Sequence, residues 1–481
     1  MKQPLIVTIS SPGFGDREVH VVAAEGRDGI STLFDLDLLV TCPHDLDYEE
    51  VLKSQITVVF HKDTKVVREI HGMAASIREI VTADTAQRNY RIQLVPRMWK
   101  GTLNERIDIY MDMNVPDIVR KKLEENGFKE GDDFVFKLRQ SYPKREFVVQ
   151  YRESDVAFIS RLTEQLGISF FFEHTTGRDV AIFGDENGAF QPIADDPHVG
   201  LRTAVGDFGV QSLESRTVHT PGRYIVRDYN YRTPTVDLTA DHDIPGGSGG
   251  VVVEYGAHFK SPEEGKWFST VRAQEIRAQR HVHDGTGTDA RFRAGATFTL
   301  EGHPRGELEL LITEVTHRVR QAGMGGESAE DATYEMTFSA IAQTTAYRPP
   351  RRTPKPKVHG VLTGVIDTAA KGQYAELDDE GRYRVKFLFD TAETPDALAS
   401  RPLRMAQPHA GAGYGMHFPL REGVEVALTC VDGDPDRPII ASTVPNPSTP
   451  SPVTKGNAAR NVIRTGGGNE INIDDTEGQQ R

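Results

Sequence analysis

Along most of the chain, apolar and polar residues alternate with a period of two. Phe34, Leu36, Leu38 and Val40 are spaced by Asp35, Asp37 and Leu39; Tyr90, Ile92 and Leu94 repeat the pattern, as do Tyr383, Val385, Phe387 and Phe389. In an extended chain that spacing places every second side chain on one face, so each segment is expected to be a strand with one buried face. Gly and Pro interrupt the runs at short intervals, as a β-rich chain requires. Two segments depart from this period. Val115–Gly127 (VPDIVRKKLEENG) predicts a helix, with Pro116 in the first turn, Ile118, Val119 and Leu123 on one face, and Gly127 as the stop. Ser154–Gly167 (SDVAFISRLTEQLG) predicts a second, capped by Ser154 and buried through Phe158, Ile159, Leu162 and Leu166. The stripe reads as core packing, and Ile168–Phe172 returns to strand.

A composition shift divides the chain. Tyr347–Lys357 (YRPPRRTPKPK) holds four prolines and five basic residues. Such a segment forms no packed element and is expected to be an extended linker at a domain boundary. The expected organisation is mainly β with a few helices: a large region 1–346, a linker 347–357, a unit of short strands 358–444, a second Pro- and Ser-rich linker 445–460, and a tail 461–481 with two short strand patterns around Gly466–Gly468. No internal repeat marks two similar units within 1–346, though that length has room for them.

The tail poses a physical problem. In NEINIDD, Ile471 and Ile473 point one way and polar residues the other. Burying an isoleucine returns roughly 1.5–3 kcal/mol, whereas fixing the backbone of about 20 residues costs on the order of 1–2 kcal/mol per residue. Such a tail frays as a single copy. It orders if several copies wrap together, each supplying one wall of a shared core. Val462 and Ile463 on the first strand, with Ile471 and Ile473 on the second, are the expected contacts between copies.

Composition narrows the function classes. With 481 residues, about three domains are expected at ~150 residues each. The formal charge of −14 disfavours tracking a phosphate backbone. Cys42 and Cys430 are the only cysteines. They exclude zinc ribbons and a disulfide framework, so folding in a reducing cytoplasm is expected. The N-terminal MKQPLIVTISSPGFG lacks the basic region and long apolar core of a secretory signal. No apolar run reaches the ~18 residues of a membrane-spanning helix.

Candidate chemistry is sparse. Gly246–Gly250 (GGSGG) satisfies G-x-S-x-G, but a nucleophile elbow needs an apolar strand before the serine and a helix after it. Asp241–Pro245 precedes it and the strand-like Val251–Tyr255 follows, so a flexible glycine loop is expected. His281, His283 and Asp284 (HVHD) place two imidazoles on one strand face, a possible metal pair without an identifiable third ligand. Gly433–Pro438 (GDPDRP) offers two carboxylates and an arginine, but it is also favourable turn chemistry, with Asp–Arg pairing fixing the loop. No P-loop, G-x-G-x-x-G or H-E-x-x-H occurs. No catalytic residue, cofactor site or metal site is expected.

Two blocks of sequence resemble one family. Arg145–Phe183 (REFVVQYRESDVAFISRLTEQLGISFFFEHTTGRDVAIF), Arg227–Pro234 (RDYNYRTP) and Leu311–His317 (LITEVTH) make the first. Arg348–Lys357, Asp379–Arg382 with Val385, Phe387 and Asp390, then Pro419–Glu425 (PLREGVE) and Gly433–Pro438 make the second. Asn461–Gly478 (NVIRTGGGNEINIDDTEG) completes it. Together they resemble VgrG, the trimeric spike of the type VI secretion system, kin to the hub and needle of contractile phage tails. The chain departs from that pattern in two places. The Val-Gly repeats of the family's long needle are not among these residues, and the usual Trp-Gly of the second block is Tyr414-Gly415.

The resemblance implies a phage-hub-like region of two β-barrel units plus helices in 1–346, an OB-like barrel in 358–444, and the start of an intertwined trimeric β-helix needle in 461–481. It implies a homotrimer whose base sits on the hexameric Hcp tube, with a PAAR protein and effectors on the needle, baseplate proteins around it, and a target membrane met in transit. Assembly in the bacterial cytoplasm followed by export through the machine itself, without a signal peptide, fits that role. The spike of a prophage tail or an extracellular contractile particle is the alternative, and a tail-associated hydrolase a more distant one. An OB fold can bind oligonucleotides, but residues 357–445 carry nine Lys and Arg against thirteen acids, so no nucleic-acid partner is expected.

Overall fold

In the computed structural model, residues 5–62, 64–81, 87–174, 177–202, 208–321, 332–369, 374–391 and 398–481 are described. They form two compact units. One comprises residues 1–104, 119–142 and 154–354, and the other residues 105–118, 143–153 and 355–481.

The first unit begins with a closed barrel. Six strands follow one another around it: Leu5–Ser10, Gln55–Lys62, Lys65–Ile80, Arg88–Val95, Asp35–Cys42 and His20–Gly29. The ring closes where Thr8 opposes His20. Two of the alternating patterns read in the sequence are neighbours here. Leu36 opposes Leu94, Leu38 opposes Ile92, and Val40 opposes Tyr90. All six are buried, so both strands turn the expected face inward. Gly26 permits this closeness, since a Cβ there would lie 2.4 Å from Leu36 Cγ.

His20–Gly29 also pairs with Leu308–Arg320, and the sheet continues through Thr333–Ala342, His281–Gly287 and Val210–Thr217. A second core gathers beneath these strands around Phe292, Phe298 and Phe338, whose ring centroids are 4.6–5.8 Å apart.

Four α-helices are described: α1 (Tyr48–Lys53), α2 (Val115–Glu125), α3 (Asp155–Leu166) and α4 (Pro262–Ala278). Helix α3 has the expected ends. Ser154 Oγ accepts from the Ala157 amide at 3.2 Å, and Gly167 adopts φ 70° as the left-handed cap. The four stripe residues are buried and Ser169–Glu173 follows as a strand. Helix α2 occupies its expected segment, with Ile118, Val119 and Leu123 buried and Gly127 at φ 84°.

Helix α4 is absent from the periodicity reading. Its buried face carries Gly265, Ser269, Arg272 and Ala273 beside Phe268 and Val271, so the apolar stripe is diluted. It covers one face of a three-stranded sheet ordered Leu238–Asp243, Arg223–Asp228, Val251–Tyr255.

In the second unit, four strands lie in the order Arg384–Phe387, Leu362–Asp367, Glu425–Cys430, Pro438–Thr443. Glu105–Tyr110 pairs with Val148–Ser154. Phe147, Val149 and Tyr151 share one core with Ile366, Val385 and Phe387. The Phe147 and Phe387 rings stack at 6.0 Å. Two segments from the middle of the expected 1–346 region therefore complete the unit whose strands lie in 358–444.

Candidate interaction surface at the C-terminal hairpin

The tail is an antiparallel hairpin of Arg460–Arg464 and Glu470–Asp474. Thr465 and Asn469 close its turn. The Thr465 amide donates to Asn469 O at 2.8 Å, and Gly468 takes φ 88°. Ile463 opposes Ile471, and Asn461 opposes Ile473. The pleat thus puts Ile463, Ile471 and Ile473 on one face, where they are 45, 61 and 52% exposed. The opposite face is ionic, with Arg464 2.6 Å from Glu470 and Arg460 3.6 Å from Asp474. Val462 lies on that face opposite Asn472 and is half-buried. Of the four expected contact residues, three share one uncovered apolar face and Val462 does not. Arg421 ties the hairpin's turn to its own unit by donating to Gly466 O at 2.9 Å.

The other sequence candidates have local structural partners. Ser248 Oγ meets His219 Nδ1 at 2.6 Å, but the strand Val251–Tyr255 follows the glycine loop, not a helix. His281 and His283 do share one strand face, with rings 4.7 Å apart. Their Nδ1 atoms are engaged across the ladder by Thr217 at 2.6 Å and Ser215 at 2.8 Å. Among the described residues no third His, Cys or carboxylate joins the pair at ligand spacing.

Asp434 and Asp436 bracket Lys355 Nζ at 2.6 and 2.7 Å. Burial opposes the Asp434 charge, but Lys355 outweighs it and lowers the pKa. Burial, then Asp434 and Asp436, push the nearby Cys430 thiol up to about 12. The arrangement fixes a turn and keeps that thiol protonated.

The proline-rich segment is extended, as its composition requires, but the first unit straps it down. Arg351 reaches Glu254 at 2.6 and 3.0 Å and Tyr224 Oη at 2.8 Å. Burial works against the Arg351 charge, yet the bonds to Glu254 prevail and its pKa is raised. Glu164 accepts from the Arg352 and Thr353 amides at 3.0 and 2.9 Å and from Thr353 Oγ1 at 2.9 Å. Buried Arg272 donates to Glu164 O at 2.7 Å, and burial pulls its guanidinium down to about 10. The run of Arg and Pro carried the signal for an extended segment; its acidic partners, distant in sequence, carried none.

A buried ring cluster lies in the same unit. His317 Nδ1 meets Tyr334 Oη at 2.7 Å and its Nε2 meets Arg68. His174 Nδ1 accepts the His71 amide at 3.1 Å. Burial first and the Arg68 charge second hold both His174 and His317 well below the ordinary imidazole range.

Residues 27–323 match the family described as phage tail baseplate hub (GPD), and residues 374–444 match the type VI secretion system/phage-baseplate injector OB domain. Type VI secretion system spike protein VgrG5 of Pseudomonas aeruginosa is 31% identical over 96% of this chain and 61% of its own length. The VgrG4b spike protein of the same organism is 30% identical over 96% of this chain and 60% of its own. The chain therefore spans about 60% of these curated relatives. An actin cross-linking toxin, VgrG1 of Vibrio cholerae, is 26% identical over 91% of this chain and 41% of its own length. Among solved structures, the E. coli c3393 protein superposes with a TM-score of 0.66 at 25% identity, covering 91% of this chain and all of that one. It is described as a component of the type VI secretion system, structurally similar to T4 tail proteins gp27 and gp5. The half-lidded Francisella PdpA-VgrG complex shares the fold at a TM-score of 0.63 and 11% identity, over 99% of this chain and 84% of that one.

Proposed function

We propose that this chain, which belongs to the phage tail baseplate hub family, forms the hub, collar and needle base of a trimeric type VI secretion spike. Three copies set side by side give each tail hairpin the walls that one copy lacks. The base of the trimer rests on the hexameric Hcp tube, baseplate proteins surround it, and the needle carries a PAAR tip and effectors towards a target membrane. The chain is assembled in the bacterial cytoplasm and leaves the cell with the machine. Its work is mechanical, and no residue acts as a catalyst.

The observation that carries this reading is the uncovered face of Ile463, Ile471 and Ile473 on a two-stranded hairpin. An isolated two-stranded hairpin is marginal in water, and three exposed isoleucines call for a symmetric partner. The identity to the Pseudomonas spike proteins supports the same reading. Mass photometry of the purified chain at micromolar concentration tests it. Particles of three chains are expected; a stable monomer with an ordered, protease-resistant tail sinks the proposal.

A further inference from the structure

Arg68 is a buried cation where three parts of the first unit meet. It stands on the barrel strand Lys65–Ile80, with its side chain 7% exposed. Its Nη1 donates to the Phe292 carbonyl and to His317 Nε2, and its Nη2 lies 3.4 Å from Asp28 Oδ2. Asp28, on the barrel strand His20–Gly29, also accepts the Ala294 amide at 3.1 Å. Arg68 and Asp28 together hold the segment 288–295, which carries Phe292 into the second core, against the barrel. The Gly295 amide, next along, donates to Ile312 O at 2.9 Å.

These contacts select one protonation state. A guanidinium has donors and no acceptor, so His317 Nε2 must present a lone pair to Arg68. The neutral ring then carries its proton on Nδ1 and donates it to Tyr334 Oη at 2.7 Å. His317 is 3% exposed, and Arg68 is the charge that faces it directly. From the other elements packed around the pair, Asp28, Arg293 and His174 face Arg68, Asp289 faces Tyr334, and Phe60 adds an apolar ring at 6.1 Å. Among the described residues no carboxylate bonds the imidazole. A proton at Nε2 turns the acceptor into a second donor, out of water and beside a like charge. The compensation at hand is the Phe292 carbonyl, which favours the protonated ring.

We propose that His317 is an acid-operated release for Arg68: its protonation passes the Phe292 carbonyl from Arg68 to the imidazolium, drives the guanidinium towards Asp28, and frees segment 288–295 from the barrel. Solvent supplies the proton and no covalent bond changes. Arg68 Nε already lacks a hydrogen-bond partner, so Asp28 is the acceptor left to the guanidinium. As Asp28 turns to meet it, the Ala294 amide loses its acceptor. The opened segment takes up a proton that the closed one excludes. Opening is therefore suppressed above the ordinary imidazole value of about 6.5 and grows as pH falls below it. The release lies inside one unit of one chain, so it stands or falls independently of the number of copies in the assembly.

Hydrogen–deuterium exchange of the full chain at pH 7.5 and 5.0, corrected for the intrinsic exchange rate, tests it. Peptides covering 288–296 are expected to exchange about tenfold or more faster at pH 5.0, while those of the barrel strand Asp35–Cys42 keep their protection. His317→Gln keeps an acceptor but does not titrate, and its 288–296 peptides should exchange equally at the two pH values. Equal corrected exchange in the parent chain overturns the release without recourse to any variant. A rise that persists in His317→Gln overturns it by placing the titrating group elsewhere. A rise shared by Asp35–Cys42 overturns it by showing that the whole unit unfolds.

Discussion

Asp436 Oδ1 accepts a hydrogen bond from the Val149 amide at 2.7 Å, across 287 residues of sequence. Its other oxygen lies 2.7 Å from Lys355 Nζ. One buried carboxylate thus joins the middle of the chain, the end of the proline-rich segment and the turn of the last sheet strand. The GDPDRP motif, read in the sequence as turn chemistry, serves as a three-way joint in the second unit.

Removing that carboxylate takes away the acceptor of the buried Val149 amide and one of the two carboxylates that hold Lys355, leaving Asp434 alone with the ammonium. Asp436→Ala is expected to destabilise the second unit by about 2–3 kcal/mol, a value moderated because Lys355 is partly exposed. Urea denaturation followed by Tyr and Phe environment in the near-UV reads the shift. A loss below about 0.5 kcal/mol would mean that water replaces the bonds without penalty.

The strap at residues 348–353 gives a proteolytic prediction. Trypsin should cleave after Arg351 and Arg352 slowly in the native chain, because both backbone positions are held. Glu254→Gln combined with Glu164→Gln removes the charged acceptors and is expected to raise the cleavage rate about tenfold or more, in line with charge-assisted bonds of ~1.5–3 kcal/mol. Equal rates in both proteins would show that the segment is free despite these bonds.

Acidification should weaken the first unit. Burial holds the His174 and His317 rings well below the ordinary imidazole value of about 6.5 in the folded chain. The unfolded chain therefore binds protons that the folded chain refuses. Their stabilisation is complete above pH 6.5 and declines as pH falls below it, by up to about 1.4 kcal/mol per histidine per pH unit. Denaturant midpoints at pH 7.5, 6.0 and 5.0 read this slope, and His317→Gln should flatten it. A midpoint independent of pH across that window would contradict the burial of neutral rings.

The two faces of the tail should respond differently. Ile471→Asp with Ile473→Asp is expected to abolish three-chain particles while leaving the melting of residues 1–444 within about 0.5 kcal/mol of the parent, as exposed substitutions usually do. Val462→Asp sits on the ionic face and should have a much smaller effect on assembly. Equal loss from both substitutions would show that the isoleucine face is not the seam.

Legibility in the sequence followed the range of the physical signal. Leu36, Leu38, Ile92 and Leu94 announced their strands because alternation is local and the buried face is uninterrupted. Helix α3 was readable at both ends, since Ser154 and Gly167 act on their immediate neighbours. Helix α4 was not, because Arg272 and Ser269 occupy its buried face: Ser269 Oγ donates to Lys266 O inside the helix, and Arg272 reaches Glu164 O, a partner that only the fold brings near. The membership of Phe147 and Val149 in the second unit had no local mark at all. Their alternation predicts a strand but not the sheet or core it will join. In the tail, alternation alone separates the adjacent Val462 and Ile463, whereas which of the two shares a face with Ile471 and Ile473 follows from register, which depends on the turn at Thr465–Asn469.

The interleaved second unit bears on synthesis and on inheritance. A ribosome delivers Phe147, Val149 and Tyr151 long before the strands that will shelter them, so the nascent polypeptide must keep those apolar side chains from sticking elsewhere while some two hundred further residues emerge. Shuffling between relatives meets the same obstacle. A crossover in the proline-rich segment, where the two halves look separable, would pair one parent's aromatic wedge with the other parent's pocket. Viable chimeras should exchange residues 105–118, 143–153 and 355–444 together.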